Sequence, residues 1–589
     1  MEKLFFIYLL PLVFSFIFSL GFKVKEKIIT RLSSISLLLP ALVSLYYFFS
    51  YFKTEKLPLE IHLFNLTIFD HHFPFILWID FYSIVFLILT HILGLLVVRY
   101  SHGYLHLEKG FQRFFATILF FIFGMYLLSL AGTIDMFFAG WEIVGMSSFL
   151  LIAFYRSHSR SVLNAMRIYN VYRICDVGLL LGAVMGHLLW HEAGRFSVLA
   201  GLGMEDFAKE HATGLLVISF LVILASLGKS AQFPFYNWPS RAMEGPTPSS
   251  AIFYGALSIH AGVFLLIRTY PIWSYHLIAK ITIALIGLTT FLLSFFQQKV
   301  QSNIKGQISY AITGNIGLMY IELSFGLLDL VIIHIFCHAL YRCFQLLVSP
   351  SIVFNSLTIN NLVVGRKKSG LPQVSSTLFS LALADFYLDL SWRGLSFFGW
   401  KKLFWKLKKI LMKPIFILLL SLLLSLIVFK DWNLPLFLGG IGLALALRSL
   451  LIHQSPFFSI LEYSLSVVII MWAAFIINPH HFEGVKIYLV SIFPALLVAS
   501  FVSYRFKHHS MLSFHALGTK NQFLANLFFI SFLIISGMPV STAFIGEDIL
   551  LEEIISYSHL LASFTTIILT IGGFIGLRIY SRLFMGRPS

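Results

Sequence analysis

Lys229 closes an apolar run, Leu215–Leu227, that carries no charge, and it is followed at once by Pro234 and Pro239. An ammonium beside such a run must reach water, find a partner or give up its proton. Proline ends the helix, and backbone freed at membrane depth is found only against protein or a wet cavity. A lysine at a helix break therefore points to an ion path, with a surface anchor as the plainer reading. Glu142, in Asp135–Gly145, is the matching acid inside another apolar stretch. A carboxylate there is costly unless protonated or paired, and ion pairing and proton switching between Glu142 and Lys229 are compatible readings.

Other titratable residues lie in similar settings. Arg173 and Asp176 are three apart, so they share a helix face and can neutralise each other. Lys305 opens a span beside Asn303 and, taken alone, reads as a helix-end anchor. His334 and His338 are four apart on one face, with Arg342 a further turn on. Two imidazoles give half of a tetrahedral metal shell, with no acid nearby in sequence. Titration near neutrality suits a proton relay better, ahead of structural hydrogen bonding, with metal binding last. Glu547 and Asp548 follow Pro539 and Gly546, the mark of a second broken helix, unless they face water in a loop.

The elements that must position these groups are membrane helices. The chain has 589 residues, of which 58% are hydrophobic and 12% charged, with a mean hydropathy of +0.87. A soluble fold of this size could not cover that much apolar surface. The pattern predicts an all-α polytopic membrane protein of about 15–17 transmembrane helices. The candidate segments lie at 4–20, 34–52, 81–98, 113–131, 134–154, 163–189, 212–229, 247–270, 276–297, 304–326 and 328–348, with four more within 413–505, and then at 521–538, 541–556 and 559–583, not every one of which need cross the membrane. Alternation within 57–80 predicts a hairpin outside the membrane, and 190–211 a polar loop. Met1–Lys3 before an apolar run imitates a signal peptide, but no small-residue cleavage site follows.

The net charge of +16 does not imply nucleic acid, because the basic residues sit between spans: Lys23, Lys25 and Lys27, then Arg366–Lys368, then Lys401–Lys409. Such clusters mark cytoplasmic loops. Trp392, Trp400 and Trp405 among the last lysines fit an interfacial helix or an anchored loop equally. Cys175, Cys337 and Cys343 have neither metal-ligand spacing nor a disulfide framework. No zinc, redox-centre or other cofactor motif is present, so the chain is not expected to be an enzyme alone.

Gly228–Pro234, Met243–Ala251, Ala261–Arg268, Gly140–Gly145 and His334–Ala339 together resemble the antiporter-like proton-conducting membrane subunits. That family includes subunit L of NADH:quinone oxidoreductase, the large Mrp antiporter subunit and the membrane subunit of the DAB inorganic-carbon accumulation system. The resemblance runs through about 77–348 and resumes at 521–584. It divides the chain into an N-terminal part (1–76), an antiporter-like core (77–348), an inserted segment (349–520) and C-terminal core helices (521–589).

The resemblance implies that Glu142 and Lys229 form the input switch and that Arg173 and Asp176 modulate it. It also implies that Lys305, His334 and His338 make a central hydrophilic axis and that Glu547 stands at the second broken helix. Tyr254, His260, Arg342 and Asp548 are further relay candidates. Two departures stand out. Tyr254 occupies the position of an expected helix-8 histidine, while His260 follows six residues later; on a continuous helix that is about 600° of rotation, which puts it on another face. Residues 350–520 also separate two helices that are ordinarily close in sequence, and no long lateral arm follows the last matched helix.

The resulting expectation is an H⁺- or Na⁺-translocating multi-pass subunit of the cell (inner) membrane that works with other membrane or soluble subunits. The departures favour a DAB-type carbon-accumulation complex with a zinc-containing, carbonic-anhydrase-like partner. The alternatives are a respiratory, hydrogenase-linked or Mrp-type proton pump, or a scaffold that conducts nothing.

Overall fold

The computed structural model describes residues 2–20, 24–54, 58–68, 71–190, 194–201, 210–349, 373–383, 386, 434–451, 455–477, 479, 483–539 and 541–587. The basic clusters at 366–368 and 401–409 and the tryptophan-lysine segment lie outside the described residues.

Among the described residues the regular structure is helical apart from one hairpin, β1 (Leu59–Ile68) and β2 (His71–Ile79). Before it come α1 (Leu10–Ser19) and α2 (Glu26–Thr54). After it come α3 (Phe81–Tyr104), α4 (Phe111–Leu130), α5 (Ile134–Ile152), α6 (Ser159–Trp190), α7 (Phe196–Gly201) and α8 (Ala212–Lys229). Short pieces follow as α9 (Trp238–Ala242), α10 (Thr247–Phe253), α11 (Ala261–Arg268) and α12 (Tyr270–Trp273). Longer helices then resume as α13 (Leu277–Val300), α14 (Ile304–Ser324), α15 (Leu328–Val348) and α16 (Gln373–Leu383). The C-terminal set is α17 (Leu434–Leu451), α18 (Pro456–Ile477), α19 (Glu483–Arg505), α20 (Gln522–Ile535), α21 (Thr542–Tyr557) and α22 (His559–Phe584). Among the described residues, 13 segments are long and apolar enough to cross a membrane.

Side-chain caps set several helix starts. The Asp80 carboxylate accepts from Ser83 N at 2.7 Å and opens α3. Thr133 accepts from Met136 N at 3.2 Å to open α5, and Asn303 accepts from Gly306 N to open α14. These bonds satisfy amides that a helix leaves free at its N-terminus.

Burial follows the expected logic. The Thr247–Arg268 segment is wholly buried. By contrast, α13 turns Leu277, Ile281, Leu285, Leu288, Leu292 and Phe295 outward at helical spacing, the apolar stripe that a bilayer covers.

The described chain forms two compact units. One holds residues 1–65, 74–154 and 194–392; the other holds 66–73, 155–193 and 393–589. In the first unit, a Cβ at Gly140 would lie 2.6 Å from Leu128 N and 2.8 Å from Gly124 O. Glycine there lets α5, which carries Glu142, approach the α4 backbone. In the second unit, α17–α19 pack onto α20, α21 and α22, and α6 packs against α22 and α21.

Two expectations need correction. The polar segment 190–211 contains the short helix α7. The span expected at 247–270 is broken into α10 and α11, with a 3₁₀ turn at Ser258–His260 between them.

Candidate functional site

The first unit holds Lys229 at a true helix end. The α8 helix stops at Lys229, and the backbone stays non-helical until Trp238. Its last carbonyls are met locally: Leu227 O accepts from Gln232 N at 3.0 Å and Gly228 O from the Trp238 indole at 3.0 Å. Ser230 O accepts from the Gln232 amide at 2.9 Å, and Phe233 N donates to Thr290 Oγ1 at 2.9 Å. These bonds are what allow a helix to stop inside an apolar body.

Lys229 is 1% exposed, so its ammonium depends on protein partners. Nζ donates to Trp141 O at 3.0 Å and lies 5.2 Å from the centre of the Trp141 ring. Glu142, the next residue on α5, is 2% exposed. The sequence candidates for a switch are thus both buried, with Lys229 docked on the turn of α5 that carries Glu142.

The second break is joined to the first. Ser230 Oγ donates to Ile259 O at 2.8 Å. At Gly262 a Cβ would lie 2.5 Å from Ser226 O, so only glycine lets α11 sit this close to the end of α8. Between α10 and α11 the amides of Gly255 and Leu257 bond five residues back, to Ser250 O at 3.0 Å and Ile252 O at 2.8 Å. Such wide turns unwind a helix locally. The rotation expected for a continuous helix therefore does not apply, and His260 is not turned away from His338.

His260 Nε2 lies 3.1 Å from His338 Nδ1, and His260 Nδ1 bonds Ala256 O. On its other side His338 Nε2 accepts from Arg342 Nε at 3.3 Å. The two ends assign the protons. A carbonyl only accepts, so His260 carries its proton on Nδ1 and accepts at Nε2. A guanidinium only donates, so His338 accepts at Nε2 and donates from Nδ1 to His260. Two neutral imidazoles thus form an oriented chain from Arg342 to Ala256.

His334 lies 6.0 Å from His338 between ring centres, and its Nδ1 is 2.9 Å from Glu322 Oε1 on α14. Glu322 is a residue that sequence reasoning missed. Its signal was a lone acid in the α14 span, and the α14–α15 turn folds it back onto His334. Lys305, expected with these histidines, instead donates to Thr247 Oγ1 at 2.8 Å, and Thr247 in turn meets Tyr104 OH at 3.1 Å. Tyr254, in the position of the expected histidine, is 2% exposed and stands edge-on to Trp238 with ring centres 5.4 Å apart. It packs on the residue that seals the first break.

The second unit holds the remaining candidates. The break lies between Ile535 and Thr542, around Pro539, whereas Gly546 falls inside α21. Gly546 serves as a contact point instead: a Cβ there would be 2.7 Å from Tyr488 Cα. Glu547 is 6% exposed, while Asp548 is half-buried. Arg173 Nη2 donates to Ser536 O at 3.1 Å, a carbonyl released by the break, and Asp176 is buried one turn further along α6.

The family model described as "NADH:quinone oxidoreductase/Mrp antiporter, TM" matches residues 131–385. A second, "NADH-Ubiquinone oxidoreductase (complex I), chain 5 N-terminus", matches 66–115. NADH-quinone oxidoreductase subunit L of Buchnera aphidicola is 34% identical over 305 residues, covering 51% of this chain and 49% of that protein. NADH-ubiquinone oxidoreductase chain 5 of Paramecium tetraurelia is 30% identical over 392 residues, covering 65% of this chain and 68% of that protein. The chain thus spans about half the length of the first of these relatives. In fold it is similar to a chain of the Mrp complex from Dietzia sp. DQ12-45-1b, with a TM-score of 0.50, 18% identity, and coverage of 86% of this chain and 47% of that one. The chain belongs to the antiporter-like membrane subunit family of NADH:quinone oxidoreductase and Mrp complexes.

Proposed function

We propose that this chain is a proton-translocating subunit of a multi-subunit complex of the NADH:quinone oxidoreductase or Mrp type, seated in the cell (inner) membrane. The observation that carries the reading is the joining of two helix breaks. One ends in buried Lys229 and the other presents His260 to His338. Lys229, docked beside Glu142, holds or releases a proton as the charge around it changes. The Ser230–Ile259 bond couples that end of α8 to the turn carrying His260, so rearrangement at Lys229 is felt at the histidine pair. His334, Glu322, Arg342 and Lys305 are the neighbouring titratable or charged groups of this unit. Glu547, with Asp548, Arg173 and Asp176, supplies a titratable group in the other.

The names of the relatives favour this reading over inorganic-carbon accumulation, which the inserted segment had suggested, and they give a zinc-containing, carbonic-anhydrase-like partner no support. Partners are therefore sought among other membrane and soluble subunits of a respiratory or antiporter-type complex.

The test is Lys229→Ala in the full-length chain within its native complex, in sealed membrane vesicles, with a pH-sensitive dye reporting proton movement. Loss of proton movement is expected while the complex still assembles. Movement at the wild-type rate would remove the proposal.

A further inference from the structure

Helices α17, α18 and α19 lie outside the residues that the family models match, 66–115 and 131–385. Two of them bring a wholly buried tyrosine to the surroundings of Glu547. On α19, Tyr488 has its backbone against Gly546, the residue before Glu547. On α18, Tyr463 reaches α22, where a Cβ at Gly572 would lie 2.5 Å from the tyrosine Cζ and in closer contact still with its hydroxyl. Both tyrosines are within electrostatic reach of Glu547, and Tyr463 is also within reach of Arg173. The Glu547 carboxylate itself rests against Gly537, whose φ of +66° belongs to the turn between α20 and α21. Both tyrosine hydroxyls are buried: that of Tyr488 lies within hydrogen-bonding reach of the Glu547 carboxylate, and that of Tyr463 meets no hydrogen-bonding protein atom among the described residues.

A hydroxyl brought to such a place by a ring that is 0% or 1% exposed is poorly explained by packing alone. Phenylalanine would pack as well and would bury no polar group. Hydroxyls both donate and accept, so they can pass a proton without holding a charge.

We propose that Tyr463 and Tyr488 complete a hydroxyl-lined proton site around Glu547, supplied by helices from outside the family-matched segments. The protonated carboxyl gives its proton to a bridging water. That water passes one of its own to a tyrosine oxygen, whose original proton moves on. No net charge remains on the tyrosine. The guanidinium of Arg173 near Tyr463 opposes a metal cation. The site therefore takes H⁺ rather than Na⁺.

This inference rests on the proton-translocation reading, and its test separates the two. Tyr463→Phe, Tyr488→Phe and the double variant are compared with Lys229→Ala in vesicles that hold the full complex. The double variant is expected to slow proton movement at least about tenfold, with no recovery on adding Na⁺. If Lys229→Ala is inactive but the double variant runs at the wild-type rate, this proposal falls alone. If Lys229→Ala is fully active, the function reading falls. Should the double variant fail to assemble, infrared difference spectra decide on Tyr488→Phe. The carboxyl band that disappears in Glu547→Gln is expected to shift in Tyr488→Phe, and an unshifted band overturns the proposal.

Discussion

His260 Nε2 and His338 Nδ1 lie 3.1 Å apart, joining residues 78 positions apart in sequence through the break between α10 and α11. The contact is possible because the chain unwinds over Tyr254–Leu257, and its direction is fixed because Ala256 O can only accept and Arg342 can only donate.

If this pair carries protons, His260→Gln should slow proton movement by about 100-fold while the complex still assembles. Glutamine keeps a polar group of similar reach but does not titrate. Nitrogen NMR of labelled histidine should show both rings neutral with their protons on Nδ1. Transport by His260→Gln at the wild-type rate would take the pair off the path.

Arg342 acts through His338. Its donation to Nε2 holds one tautomer of the ring, and its guanidinium is steadied by a 2.7 Å bond to Gln345 Oε1. In Arg342→Leu that pin is gone, and His338 should populate both neutral tautomers, visible as a second set of nitrogen shifts. Proton movement should slow several-fold. Arg342→Lys, whose ammonium also only donates, should restore both. A single tautomer in the leucine variant would show that Arg342 does not orient the ring.

Much of this fold could be read from the residues, and the exceptions share a cause. Expected spans at 134–154, 212–229 and 328–348 match α5, α8 and α15 closely, because apolar runs bounded by polar or breaking residues carry the signal locally. Lys229 was visible for the same reason, since Pro234 and Pro239 announce the break. The break at 254–260 was not, because Ile252–Arg268 reads as one apolar run and no proline interrupts it. What unwinds it is tertiary: the Ser230–Ile259 bond and the close approach at Gly262. Glu322 was missed likewise, since its partner His334 is reached only across a helix hairpin. Tyr463 and Tyr488 look like ordinary aromatics until α18 and α19 are placed beside Glu547.

Gly262 tests whether the two breaks are one device. Its missing Cβ would meet the backbone oxygen of Ser226 at 2.5 Å, a group that cannot swing aside as a side chain could. Gly262→Ala should therefore cost about 1–3 kcal/mol, as overpacking does, and lower the thermal midpoint of the purified protein. Proton movement in the surviving folded fraction should also fall, because α11 and His260 must retreat from α8. Wild-type transport with reduced stability would separate packing from coupling.

The ion pair of Arg268 with Asp80 should respond unequally to the loss of each partner. Arg268 Nη1 donates to Asp80 Oδ2 at 2.8 Å, and its other amino group meets Ser83 Oγ and, at 3.1 Å, Ser129 O. The side chains are 3% and 21% exposed respectively, so the arginine depends on the pair more than the aspartate does. Asp80→Asn keeps an N-cap for α3 but leaves a buried guanidinium without its counter-charge, a loss of about 3–5 kcal/mol. Arg268→Met leaves a carboxylate that still caps Ser83 N and reaches water, a loss of about 1–2 kcal/mol. Unfolding midpoints of the two single variants in detergent measure the difference. An Asp80→Asn variant no less stable than Arg268→Met would mean that the guanidinium is held by Ser83, Ser129 and the Phe264 ring, whose centre is 5.1 Å away, and not by the acid.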